Sequence, residues 1–154
     1  MSIQLVVCTP WYYFEDRQIS EDFVELVENK VGFKIDNADN VASCSFDLPI
    51  SAFSEIDDLI YNEYGDCIER DIFLTGLILP FKFDGMHEIA IPEKDTICIV
   101  SYETFSRVLD KYESLVRNKT KSSDKLDNYM YFINTYRSAI RESLKNKQII
   151  IFEP

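Results

Sequence analysis

Short β-branched runs stand near both ends of this chain and through its middle, and amphipathic stretches of helical period separate them at irregular intervals. That layout constrains the fold more than any single residue does. Strict alternation of strand and helix would give a parallel sheet of βαβ units, whereas irregular spacing predicts an α+β domain built on a mixed or antiparallel sheet. Five to six strands packed with four helices are expected. Of the 154 residues 46% are hydrophobic, and only 4 Gly and 5 Pro interrupt them, so one compact acidic domain is predicted over 1–154.

The runs IQLVV at 3–7, TICIV at 96–100 and QIIIF at 148–152 read as strands. In VASCSFDL at 41–48, Ala42, Cys44, Phe46 and Leu48 fall on one face and Val41, Ser43, Ser45 and Asp47 on the other. That is the period of a strand with one apolar side. The run 72–79 is apolar on both faces, which predicts a central strand ended by Pro80. Asp84-Gly85, inside FKFDGMHEIAIP, predicts a hairpin turn.

Ser20 precedes Glu21 and Asp22, with Phe23, Leu26 and Val27 at helical spacing behind it, so a helix capped by Ser20 is predicted over 20–30. Over 52–64, Phe53, Ile56, Ile60 and Tyr64 line one side, Glu55, Asp58 and Asn62 the other, and Gly65 closes the helix. Ser101 is expected to cap a third helix striped by Phe105, Val108, Leu109, Tyr112, Leu115 and Val116. A fourth, over 124–146, repeats Leu126, Tyr129, Met130, Ile133, Ile140 and Leu144 at three and four. Arg137 falls on that stripe and is expected to pair with a carboxylate from the sheet.

A net charge of −11 makes the surface repel phosphate and anionic lipid, so neither nucleic acid nor membrane is expected as a partner. A basic protein is. No apolar run reaches the roughly 20 residues of a membrane helix, and the first residues lack the basic flank of a secretory signal. Cys8, Cys44, Cys67 and Cys98 form no paired spacing and read as small hydrophobes, which fits a reduced cytoplasmic setting.

No phosphate-binding glycine loop, zinc motif, nucleophile elbow or CxxC pair occurs. The chain therefore reads as non-catalytic, with no cofactor and no metal expected. The run DNADN at 36–40 lacks the glycine and the closing glutamate of a calcium loop and reads as an Asx turn. His87 is the single histidine, and a carboxylate-based enzyme or metal site near Asp84, His87 and Glu88 is the alternative reading.

The charge is unevenly spread. Residues 1–100 carry 20 acids and 6 bases, and residues 101–154 carry 7 acids and 10 bases. Glu55, Asp57, Asp58, Glu63, Asp66, Glu69 and Asp71 crowd one stretch against Arg70 alone, with Tyr61, Asn62 and Tyr64 among them. A second group joins Trp11, Tyr12, Tyr13, Glu15 and Asp16. Aromatic anchors ringed by acids suit capture of a basic partner, since the charge steers encounter and the rings hold the complex. The expectation is an inhibitor of a basic protein, in its sharpest form a cytoplasmic immunity protein that blocks a bacterial toxin such as a nuclease. The first group, apart from Tyr64, which is expected on the apolar stripe of its helix, is the primary partner-binding candidate and the second is secondary.

Overall fold

The computed structural model describes residues 2–74 and 76–154. The order of elements is β1 (Ser2–Cys8), α1 (Pro10–Phe14), α2 (Arg17–Val31), β2 (Ala42–Pro49), α3 (Ile50–Tyr64), α4 (Ile68–Leu74), β3 (Leu77–Leu79), β4 (Met86–Ala90), β5 (Thr96–Ser101), α5 (Tyr102–Lys119), α6 (Ser123–Asn146) and β6 (Ile149–Glu153). The strands form one mixed sheet in the order β2-β1-β6-β3-β5-β4. Only β3 and β5 run parallel; the other neighbours are antiparallel. The expected α+β domain and strand number are thus met. No helix among the described residues is long and apolar enough to cross a membrane.

Side-chain alternation builds a core on each side of the sheet. Leu5 and Val7 of β1, Ile78 of β3, Val100 of β5 and Ile150 of β6 meet α3, α4, α5 and α6. Their strand neighbours Val6, Cys8, Leu77, Leu79, Ile99, Ile149 and Ile151 meet Phe23, Val24 and Val27 of α2 together with Ile35. Strands covered on both faces must be apolar at every position, and that is why these runs show no polar alternation. β2 lies at one edge, and its Ser43, Ser45 and Asp47 side stays exposed while Leu48 is buried.

Several expectations are corrected. The apolar run 72–79 is not one strand, since Ile72–Leu74 ends α4 and only Leu77–Leu79 is extended. Asp84-Gly85 does not turn a hairpin; it precedes β4, and the hairpin joins β4 to β5. α2 is capped not by Ser20 but by Asp16, whose carboxylate accepts the Ile19 N–H at 2.9 Å. Ser20 lies inside the helix, fully buried, and accepts from Asn37 Nδ2 at 2.9 Å. Six helices replace the expected four, because α1 and α4 are too short to show a periodic stripe. Arg137 pairs with Glu113 and Asp110 of α5, at 2.6 and 2.9 Å, and not with the sheet. The DNADN run does turn as expected, with Ala38 N–H donating to the Asp36 carboxylate at 3.1 Å.

The larger core is aromatic. Phe73, Tyr112, Phe105, Phe132 and Tyr136 are each 1% exposed or less, and with Phe53 they pack ring against ring, mostly tilted. The Tyr136 hydroxyl finds no hydrogen-bond partner among the described residues, and burial pushes the phenol well above its usual range. A buried unsatisfied hydroxyl costs about 1–3 kcal/mol, so Tyr136→Phe is expected to stabilise the fold by about 1–2 kcal/mol. Urea denaturation of the two proteins measures this directly, and a loss of stability would show that the hydroxyl is bonded. On the other face Cys8 is buried and its thiol is pushed up to about 12, chiefly by desolvation. All four cysteines are free; Cys44, Cys67 and Cys98 are half-buried.

Candidate protein-binding surfaces

The acid-rich stretch becomes the end of α3, the turn at Gly65 and α4. The Gly65 N–H bonds the Tyr61 carbonyl and closes α3, after which the chain reverses into α4. This brings Arg70 back beside Asp57. Its Nε and Nη2 donate to the two carboxylate oxygens of Asp57 at 2.7 and 3.0 Å, and Nη1 reaches Asp66 at 2.9 Å. The bidentate fork fixes both side chains of the Arg70–Asp57 pair, which are no more than one-quarter exposed. The same guanidinium lies 5.1 Å from the centre of the Tyr61 ring.

Cations from α5 meet the remaining acids. Lys111 donates to Glu69 at 2.8 Å and sits 4.3 Å from the Tyr64 ring centre. That bond lowers the Glu69 carboxyl and raises the Lys111 ammonium from their ordinary values. Lys119 approaches Glu63 at 3.3 Å. Glu55 accepts from the Tyr129 hydroxyl of α6 at 2.7 Å. The Tyr129 phenol is pushed up to about 12, first by burial and then by that bond. Asp58 and Asn62 project into solvent without a partner among the described residues, and Asp71 is also exposed.

The charge asymmetry of the sequence is therefore partly internal, because basic α5 packs against the acidic α3–α4 region. Of the seven acids of this face, Asp57, Asp66, Glu69 and Glu63 meet three cations, Arg70, Lys111 and Lys119, and the balance of the face is negative. Among them three large side chains stand open to solvent, Tyr61 at 51%, Tyr64 at 45% and Ile68 at 59%. Two of these rings rest on cations that are themselves pinned by carboxylates. They are held outward, with little rotamer freedom left to lose on contact.

The second group is occupied with holding the fold. Trp11 is half-buried beneath Arg17, whose guanidinium carbon is 4.7 Å from the ring centre. The Tyr12 hydroxyl donates to Glu153 at 3.1 Å, and that bond is the first cause of its raised pKa. Tyr13 packs edge-on against Phe14 in the core of the α2 face. Glu15 closes α1 with a positive φ of 56°, and Asp16 caps α2. Glu15 and Asp16 alone of the five are exposed.

Asp84, His87 and Glu88 do not converge. His87 and Glu88 are successive residues of β4 and face opposite sides of the sheet. His87 Nε2 lies 2.7 Å from the Asp84 backbone carbonyl, not from its carboxylate, and the ring packs beside Phe83. Among the described residues no group of three or more His, Cys, Asp and Glu is placed to hold a metal ion.

One feature of the surface escaped sequence reading. Tyr131 of α6 is 59% exposed, at the mouth of an open cleft of about 530 Å³ that Glu55, Asp124, Lys125 and Asp127 also line. Its signal was present, since Tyr131 is the one aromatic of 124–146 that falls off the stripe through Tyr129, Met130 and Ile133. Compared with protein-family models, curated proteins and solved structures, the chain matches none.

Proposed function

We propose that this protein is a cytoplasmic, non-catalytic inhibitor that binds a basic protein, in its sharpest form an immunity protein that covers the cationic surface of a bacterial toxin such as a nuclease. The observation that supports this most is the outward-held trio Tyr61, Tyr64 and Ile68 on a face of net negative charge. Solubility alone calls for the acids and not for exposed aromatic and aliphatic anchors beside them. In this reading Asp58, Asp71 and the α3 edge steer the encounter, while the two tyrosines and Ile68 desolvate against the partner and set its lifetime. Inhibition is by occlusion: a nuclease must present cations to phosphate, and the acidic face occupies them.

The test is capture from source-cell lysate and neighbouring gene products at low and moderate salt, with wild type beside a Glu55→Lys, Asp58→Lys pair. One basic protein retained by wild type and lost by the pair is expected. Because Glu55 also bonds Tyr129, Asp58→Lys alone separates charge from packing. With the captured partner purified, Tyr61→Ala is expected to speed dissociation by about tenfold or more, as a central anchor does. Asp58→Lys is expected to slow association and flatten its salt dependence. Unchanged affinity in both variants would remove this face from the interface.

A further inference from the structure

The terminal strands β1 and β6 are interior to the sheet, so its free edges are β2 and β4. β2 is the longer, with eight residues, and the only charge along it is Asp47. Natural edge strands are normally blunted by lysines, bulges or a central proline; in β2 the register shifts only at its Ala42–Cys44 end, and the one proline, Pro49, closes the strand, so Cys44–Leu48 keep a regular ladder with an open outer side. Ladder parity gives the direction of its outer backbone groups. Thr9 donates its N–H to the Val41 carbonyl at 3.0 Å, and at the other end Pro49, which has no N–H, stands opposite Ser2. Alternation along β1 then makes Leu5–Phe46 and Ile3–Leu48 the hydrogen-bonded pairs. The N–H and C=O of Ser45 and Asp47 therefore point away from β1, along the open edge.

Beside that edge runs a groove of about 400 Å³ between Ser45, Phe46 and Asp47 of β2 and Tyr131, Asn134 and Ser138 of α6. Tyr131 also lines the acidic cleft formed with Glu55, Asp124 and Asp127, so groove and cleft join at this ring. An added strand would lie about 4.8 Å from β2, with alternate side chains entering the groove. At the Pro49 end of β2 it would meet four carboxylates, those of Asp47, Glu55, Asp124 and Asp127, against one ammonium, that of Lys125.

We infer that the β2 edge docks an extended segment of a partner protein by strand addition, the segment carrying lysine or arginine where it passes Tyr131 into the acidic cleft. Charge selects this occupant over a second copy of the chain. Pairing with a copy through its own β2 would join two molecules of net charge −11, and β2 has no basic residue to offer the acidic cleft. A basic segment meets complementary charge, a shelf for its aliphatic stem on Tyr131, and two outward-facing residues ready to pair. This surface does not include the Tyr61, Tyr64 and Ile68 trio; Glu55 borders both, and the test of the β2 edge leaves Glu55 unchanged.

The experiment selects a displayed library of random short peptides on the intact protein and measures the enriched peptides by fluorescence anisotropy and amide chemical shifts. Enrichment of extended sequences with a basic end is expected, with shifts centred on Ser45–Asp47 and Asp124–Ser138. Ser45→Pro removes an outward N–H while leaving the β1 ladder intact, as edge strands tolerate. It is expected to weaken binding about tenfold or more, with an unchanged circular dichroism spectrum. Asp124→Lys with Asp127→Lys is expected to do the same and to invert the preference toward acidic peptides. Tyr61→Ala with Tyr64→Ala is expected to leave peptide binding unchanged. Binders without basic bias, shifts elsewhere, full affinity in Ser45→Pro, no binders at all, or sedimentation as a β2-dependent dimer would each overturn the inference.

Discussion

Replacing Phe73 with alanine is expected to cost about 3–5 kcal/mol, the upper range for deletion of a buried aromatic ring. Phe73 is fully buried and touches five other rings: Phe53 from α3, Phe105 and Tyr112 from α5, and Phe132 and Tyr136 from α6. Those centroid distances run from 4.6 Å to Tyr112 up to 6.2 Å to Phe105. The five neighbours are anchored on three long helices, so the shell cannot close inward over the void, and the cavity term adds to the lost transfer energy. α4 has only seven residues and is too short to be stable without this anchor. Urea unfolding followed by circular dichroism measures the loss. Leu74→Ala, at a neighbouring residue that is 36% exposed, is the control and should cost about 1 kcal/mol, well below the loss at Phe73. A Phe73→Ala loss below about 1 kcal/mol would mean that the four helices do not meet at this ring.

The consequence extends to the candidate face. Glu69 and Arg70, four and three residues before Phe73, flank the same side of α4, and they hold Lys111, Asp57 and Asp66 in place. Any variant that loosens α4 is therefore expected to release Tyr61 and Tyr64 from their cations as well.

What the sequence made legible follows from how local each signal was. The α5 stripe from Phe105 to Val116 and its Ser101 cap could be read directly, because spacing and cap lie within one segment. The two faces of β2 were equally plain, since alternation survives where one side is solvated. The run 72–79 misled because a buried helical turn and a buried strand are both apolar throughout, and periodicity cannot separate them. Ser20 misled for a different reason. Asp16 four residues earlier serves the cap, and Ser20 instead meets Asn37, a partner seventeen positions away. The acidic face was visible as composition, but Lys111, Lys119 and Tyr129 come from helices far along the chain. Whether an acid is pinned or free was therefore out of reach. The β2 edge was hidden more deeply, for strand order decides which strands are edges, and that order is not carried by any one segment.

Gly76 marks the place where the misread run breaks, and Gly76→Ala is expected to cost about 3 kcal/mol or more, from backbone strain and steric overlap together. Its φ of +91° is one that side chains rarely adopt. A methyl group there would also lie 2.6 Å from the Cys98 carbonyl oxygen, a backbone atom of β5 that cannot swing aside. Relief would require β3 to move off β5, and β3 has only Leu77, Ile78 and Leu79 with which to hold that pairing. Gly32→Ala isolates the first contribution. Gly32 has a similar φ of +84° with nothing within 4 Å of the added methyl, so it should show the conformational penalty alone, about 1–2 kcal/mol. The difference between the two variants in urea unfolding is the cost of the overlap with Cys98. Equal losses would mean that β3 and β5 are further apart than this packing requires. A larger loss at Gly76 fixes the helix-to-strand switch as a constraint of the sheet interior: after Leu74 the chain must pass so close to β5 that only a residue without a side chain fits.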